Sequence, residues 1–266
     1  MTKHTFKTSL LPPPGPNQPL TVPTESTPIP ANPEIFNDAL TVRIKVFIDE
    51  QKCPIEAEID TDDHRSWHWV IYDTTTTTAG SSDGTDNVNL NGEDKAQTHP
   101  TRLRSGLNDG DDETSPHRLR RPVAVIRLVP PPHAPHEKYT RPDLIASLPA
   151  YDLQSEPCVV LSRVAVLPEY RGYGLGRELI RTALDWARGH GVEIDDAYAR
   201  VIGEAGEKTG KGKGKWNGQV LIHAQVAVEA MYRKFGFETD EALGRWDEEG
   251  IEHVGMWQRV DVIDQI

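Results

Sequence analysis

Residues 159–188 read VVLSRVAVLPEYRGYGLGRELIRTALDWAR, and the pattern changes twice along the way. Residues 159–166 are apolar apart from Ser162 and Arg163, which reads as a buried strand. Pro168 closes it, because proline has no N–H to give a sheet ladder. The turn Arg171-Gly172-Tyr173-Gly174-Leu175-Gly176 follows. Leu175, Leu179, Ile180, Ala183, Leu184 and Ala187 then recur at the helical period and form one core-facing stripe. Gly189 and Gly191 read as the stop of that helix. Glycines at alternate positions let backbone N–H groups crowd around an anion at a helix N-terminus, where the peptide dipoles also favour negative charge. The turn reads as a phosphate cradle.

Two nucleotide-binding patterns fail on spacing. The dinucleotide fingerprint needs G-x-G-x-x-G, whereas Gly172, Gly174 and Gly176 give G-x-G-x-G. No Gly-Lys-Ser/Thr follows, so a P-loop is excluded as well. An R-G-x-G-x-G turn behind an apolar strand, Val164-Ala165-Val166-Leu167-Pro168-Glu169-Tyr170 before Arg171, resembles the GNAT acetyltransferase superfamily. That resemblance implies a fold and a set of roles. The fold is α/β, a twisted and mainly antiparallel sheet flanked by helices and splayed where acyl-CoA enters. Arg171, Gly172, Tyr173, Gly174, Leu175, Gly176 and Arg177 would wrap the diphosphate of acetyl-CoA. Val164, Ala165 and Val166 would line the thioester, with the N–H of Val166 or a near neighbour on its carbonyl as a one-donor oxyanion hole.

A second segment agrees. Residues 219–224 read as a short strand and 226–235 as a helix closed by Gly236, since glycine takes up a positive φ without a Cβ penalty. Ala230-Met231-Tyr232-Arg233-Lys234-Phe235-Gly236-Phe237 resembles the family's A-x-Y-x-x-x-G-F signature, which implies that Tyr232 protonates the departing CoA thiolate. Many relatives carry an asparagine seven residues before that tyrosine, against pantetheine; Gln225 keeps the amide with a longer reach. Segments near both ends, Arg43 to Gln51, Cys53-Pro54, Glu58 to Asp60, Asp63-His64, and Asp247 to Met256, resemble the bacterial ElaA-type branch.

The general base is less legible. Relatives place a glutamate on the strand before the cradle, where this chain has Val159, Val160 and Leu161. Glu50, Glu56, Glu58, Asp60, His223 and His253 are the candidates, and His253 is preferred because imidazole suits deprotonation of an ammonium. Arg163, alone in an apolar strand, is expected to pair with Asp60 or Asp63. Neither Cys53 nor Cys158 adjoins the cradle in sequence, which favours direct transfer without an acyl-enzyme.

Composition bounds the rest. Residues 1–33, with Pro12-Pro13-Pro14, read as a proline-rich extended tail, and 34–266 as a single acetyltransferase domain. Within it, 73–118 is rich in Thr, Gly, Ser, Asp and Asn and reads as a low-complexity insertion between strands 67–72 and 123–128. A Gly/Lys loop spans 203–217, with Lys208, Lys211, Lys213 and Lys215. The net charge of -12 disfavours nucleic acid as a partner. No window approaches the roughly 18 apolar residues of a membrane helix, and MTKHTFKTSLLPPPG lacks the apolar run of a secretory signal. Two cysteines make neither a disulfide scaffold nor a thiolate zinc site, so no metal is expected. The expected location is cytoplasmic, with the nucleus left open. The expected activity is acetyl-CoA-dependent N-acetyl transfer to a primary amine of a small molecule such as an amino sugar or polyamine. The alternatives are a protein or peptide amine, or a non-catalytic acyl-CoA sensor or scaffold. A homodimer is a further expectation, because homodimers are frequent in the family.

Overall fold

The structure, a computed structural model, describes residues 4–75, 120–204 and 214–263. The strands are β1 (Phe6–Leu11), β2 (Trp67–Asp73), β3 (Arg121–Val129), β4 (Val159–Val166), β5 (Gln219–Gln225), β6 (Glu238–Thr239), β7 (Arg245–Glu248) and β8 (Ile251–Arg259). The helices are α1 (Glu34–Arg43), α2 (Glu137–Thr140), α3 (Leu175–Gly189), α4 (Gly191–Glu204) and α5 (Glu229–Arg233). One sheet of eight strands runs in the order β1-β2-β3-β4-β5-β8-β6, with β7 also on β8. β4 and β5 pair in parallel and the other neighbours are antiparallel. This is the mixed, mainly antiparallel sheet expected from the sequence.

β2 is buried along its whole length because helices cover both faces. Trp67 and Trp69 meet Trp186 of α3, with ring centroids 4.6 and 5.6 Å apart, while His68 on the opposite face meets Phe36 of α1 at 5.3 Å. The stripe read for α3 is the face it buries: Leu175, Leu179, Ile180, Ala183, Leu184 and Ala187. Strands 67–72 and 123–128 lie side by side as expected, in β2 and β3. Of the expected insertion 73–118, Asp73 is the last residue of β2 and 76–118 lie outside the described residues, as do 205–213 of the Gly/Lys loop.

Three local readings need correction. Residues 6–11, assigned to an extended tail, form β1 and pair with β2 over all six positions. Phe6 and Leu10 pack on the core, and the proline run directly after them masks so short a strand in the composition. Gly191 is not a stop but the first residue of α4. A Cβ there would sit 3.0 Å from Val262 Cγ1, so glycine serves the close approach of the C-terminal segment. The single helix expected over 226–235 is a 3-10 turn at Val226–Val228 followed by α5, with φ −115° at Val228 between them. β-branched residues at both ends of that first turn disfavour α-helix. Gly236 closes the segment at φ 88°, as expected.

Two irregularities of β4 position the site. Its pairing with β5 stops after three positions, Val159 to Leu161 with Val220 to Ile222, so the strands part beyond Leu161 and Ile222. On its other edge, Val125 faces Ala165 but Arg127 faces Ser162, which leaves one extra residue on β4. Arg163 lies in that bulge with φ 51°, a left-handed conformation that L-residues seldom adopt.

Candidate active site

The gap between β4 and β5 opens into a cavity of about 1340 Å³. The cradle forms one wall. Gly172 and Gly174 take φ 90° and 82°, and Gly174 caps α3 in a left-handed conformation. The first amides of a helix have no partner inside it. Glu178 N donates to Gly174 O at 3.0 Å, whereas among the described residues no backbone carbonyl outside the helix accepts from the amides of 172–177. A fan of amides at a positive dipole end fits a diphosphate. Gly172, Gly174, Leu175, Gly176 and Arg177 line the cavity together with Arg171. Tyr173 does not: its ring turns to β1, 5.1 Å from His4 and 5.8 Å from Phe6.

Arg171 is anchored on both sides. Its Nε donates to Val166 O at 3.2 Å, and Nη1 and Nη2 grip the Glu50 carboxylate at 2.7 and 2.5 Å. The guanidinium holds the Glu50 carboxyl below its ordinary range. Glu50 ends a π-helical segment, Ile44–Glu50, that continues α1. The wider turn delivers Glu50 and Gln51 to the site, where Gln51 Oε1 accepts from Gln225 Nε2 at 3.1 Å. The sequence placed Glu50 among the bases and paired Gln225 with no residue; a π-turn leaves no periodic signal that would have shown either contact.

Val164, Ala165 and Val166 line the cavity past the last pair with β5. Leu167 N donates to Val123 O of β3 at 2.9 Å. Backbone polar groups alternate sides along a strand, so the Val166 amide turns to the opposite edge, the one facing the gap. Tyr232 is buried and lines the same cavity, and its hydroxyl has no hydrogen-bond partner among the described residues. Burial pushes that phenol above its ordinary pKa, so it is protonated at neutral pH.

The base candidates separate. Glu58 is paired to buried Arg43 at 2.5 Å, and Asp60 to Arg127 at 2.6 Å and Arg163 at 3.1 Å, the pairing expected of Arg163. Asp63 joins Arg43 and Arg127 at 2.8 and 3.0 Å, completing a buried network that fixes this wall. Glu50 is held by Arg171. His223 is a weak base, because burial followed by the nearby His136 and His253 pulls its pKa to about 3. Glu56 is exposed. His253 is buried on β8 and lines the cavity. Its Nδ1 lies 2.8 Å from Ile251 O, and since a carbonyl only accepts, Nδ1 carries a hydrogen and Nε2 is the nitrogen left for proton exchange in the cavity.

Both cysteines border the cavity, contrary to their distance from the cradle in sequence. Neither thiol is activated: burial raises Cys53, and raises Cys158 to about 12. The sequence also missed α2, whose Tyr139 lies over His223 at a centroid distance of 4.7 Å. That helix sits in a proline-rich connection without periodicity. Among the described residues no group of three or more His, Cys, Asp or Glu could hold a metal ion, and no helix is long and apolar enough to cross a membrane.

The model of the acetyltransferase (GNAT) family matches residues 102–201, a span that holds β3, β4, the cradle and α3. No curated protein matches the chain. Among solved structures, an acyl-CoA N-acyltransferase from Pseudomonas aeruginosa aligns at 18% identity over 96% of this chain and 99% of that one, with a TM-score of 0.46. Escherichia coli ElaA, of the branch that the sequence resembles, aligns at 17% over 96% and 100%, with a TM-score of 0.45. Arabidopsis thaliana NAA60 in complex with acetyl-CoA aligns at 10% over 96% and 99%, with a TM-score of 0.43. β4, the cradle and α3, which build one wall of the cavity, lie inside the stretch that matches the acetyltransferase (GNAT) family model.

Proposed function

We propose that the protein is an acetyl-CoA-dependent N-acetyltransferase that moves acetyl directly to a primary amine of a small molecule. The observation that carries this reading is the meeting, in one cavity, of the cradle, the free edge of β4, Tyr232 and His253. Arg171, Arg177 and the amides of the turn bind the diphosphate, and Gln225, oriented by Gln51, takes the pantetheine arm. The Val166 amide donates to the thioester oxygen. Holding donor and amine in one cleft makes the encounter effectively intramolecular.

His253 Nε2 takes a proton from the amine as the N–C bond forms, and Tyr232 gives one to sulfur as the C–S bond breaks. The two transfers balance. The inert thiols of Cys53 and Cys158 support direct attack over an acyl-enzyme. α2 supports a small acceptor, because His136 Nε2 donates to Leu243 O at 3.0 Å and so ties the β3–β4 connection across the cavity to the β6–β7 connection.

The test is CoA release from acetyl-CoA with a panel of amines, amino sugars and short peptides. Saturable turnover on a small amine is expected. Turnover on peptides alone would overturn the choice of acceptor, and acetyl-CoA binding without turnover on any amine would overturn the enzyme reading in favour of a sensor.

A further inference from the structure

Part of the cavity wall is built by β5, β7, β8 and α2. Among the carboxylates that line the cavity, Glu50, Glu58, Asp60, Asp62 and Glu156 each sit in an ion pair with an arginine, and Glu56 and Glu249 are exposed to water. Glu248 on β7 is in neither position. It is half-buried, and no lysine or arginine among the described residues lies within ion-pair distance of it. Its polar neighbours are Trp246, whose Nε1 donates to Oε2 at 3.2 Å, and His223, whose Nδ1 lies 3.9 Å away. His223 is a neutral ring and supplies no compensating charge. A carboxylate drawn partly out of water without a cation is costly, so a cation brought by a ligand is favoured there.

The surroundings of Glu248 suit a cation in two further ways. Beside it lies an aromatic cluster: His223 and Trp246, its two neighbours, are 4.9 Å apart, Tyr139 meets His223 at 4.7 Å, and His136 meets Trp246 at 4.7 Å. Ring faces attract ammonium groups. The imidazoles also offer lone pairs. His136 spends an Nε2 hydrogen on Leu243 O and His253 an Nδ1 hydrogen on Ile251 O, so in the neutral rings His136 Nδ1 and His253 Nε2 are acceptors. The cation on this side of the lining is Lys138, at the exposed rim. A wall of acceptors around an unpaired carboxylate recognises a ligand rich in N–H donors and rejects one that carries phosphate or carboxylate.

We propose that the acceptor is a diamine or polyamine, with one nitrogen presented to His253 and a second, charged nitrogen held by Glu248 against the rings of His223 and Tyr139. This assignment rests on the acyl-transfer reading for the role of the first nitrogen. The ammonium site itself is a property of the wall and is testable without turnover.

The experiment compares 1,4-diaminobutane, n-butylamine and 4-aminobutyrate, equal in carbon chain and differing in the far group. Binding to the full-length protein with CoA present is measured by calorimetry, and acetyl transfer by CoA release. The diamine is expected to bind at least about tenfold more tightly than butylamine, with 4-aminobutyrate weakest. Glu248→Gln, an isosteric change at a half-buried position, is expected to bring the diamine-to-butylamine ratio close to one. Equal binding of diamine and butylamine, tighter binding of 4-aminobutyrate, or an unchanged ratio in Glu248→Gln would overturn the assignment. Diamine binding that depends on Glu248 without CoA release would uphold the ammonium site while overturning the acyl-transfer reading.

Discussion

Tyr232 carries a narrow chemical argument. Its hydroxyl has no partner among the described residues, and burial raises its pKa, so it is a phenol at neutral pH. In the proposed reaction a proton donor of this kind acts on the sulfur as it departs and adds nothing to binding of the acyl donor. Tyr232→Phe keeps the ring and its edge contact with Phe237, 5.9 Å between centroids, and removes only the hydroxyl. The expected result is a fall in kcat of about 100-fold, at the low end for loss of an acid–base group. The Kd for acetyl-CoA, measured by calorimetry, should stay within about twofold. A parallel loss of binding would make Tyr232 a packing residue instead. The place of Tyr232 on the cavity wall was legible because a signature fixed its position. His253 stood in the sequence as one of six base candidates, since the choice among them depends on which carboxylates find arginines and on which ring nitrogen meets a carbonyl. Those are properties of folded neighbours far apart in the chain, such as Glu50 and Arg171.

The elements around the cradle were legible where period and punctuation agree. β4 and α3 have the bounds their apolar patterns give. The bulge at Arg163 and the π-helical end of α1 were not legible, because each depends on pairing or packing that one extra residue must satisfy. β1 was hidden for another reason, its few residues being diluted by the prolines that follow. The π-helical segment has a functional consequence. It sets Glu50 into the same guanidinium fork of Arg171 that the diphosphate of acyl-CoA would use, so the carboxylate and the ligand compete. Exposed ion pairs are worth about 0.2–1 kcal/mol, which limits the effect of removing this one. Glu50→Gln is therefore expected to tighten acetyl-CoA binding by about two- to fivefold, with a smaller dependence on pH in the acid range where Glu50 would titrate. A clear weakening in Glu50→Gln would instead make Glu50 the residue that orients Arg171 for the ligand.

Across the whole molecule, the sheet is covered on both faces and its interior holds ionisable groups, and this predicts how stability changes with pH. His68 is fully buried, with Nε2 at 3.1 Å from Asp63 O. Burial and the guanidinium of Arg43 outweigh Asp63 and bring its pKa to about 4; the same physics brings His223 to about 3. Both rings are neutral in the folded chain near pH 6 but titrate at about 6.5 once unfolded. Between those values the unfolded chain binds more protons, so stability rises with pH there and falls as the solution is acidified. The contribution is complete above about pH 6.5 and is lost progressively toward pH 4, at about 1.4 kcal/mol per pH unit for each ring. Asp60 and Asp63, held below their ordinary range by arginines, add a loss of the same sign only below the free carboxyl value near 3.9. The window from 6.5 to 4 thus belongs to the histidines. By circular dichroism, Tm is expected to be level from pH 8 to 7 and to have dropped by about 10 °C at pH 5, using about 2–4 °C per kcal/mol for a chain of this size. A Tm unchanged between pH 7 and 5 would mean that these rings titrate alike in the folded and unfolded chain. Glu248 would then gain an imidazolium at His223 as its partner below about pH 6.5, and the diamine assignment would lose its electrostatic basis in that range along with the stability argument.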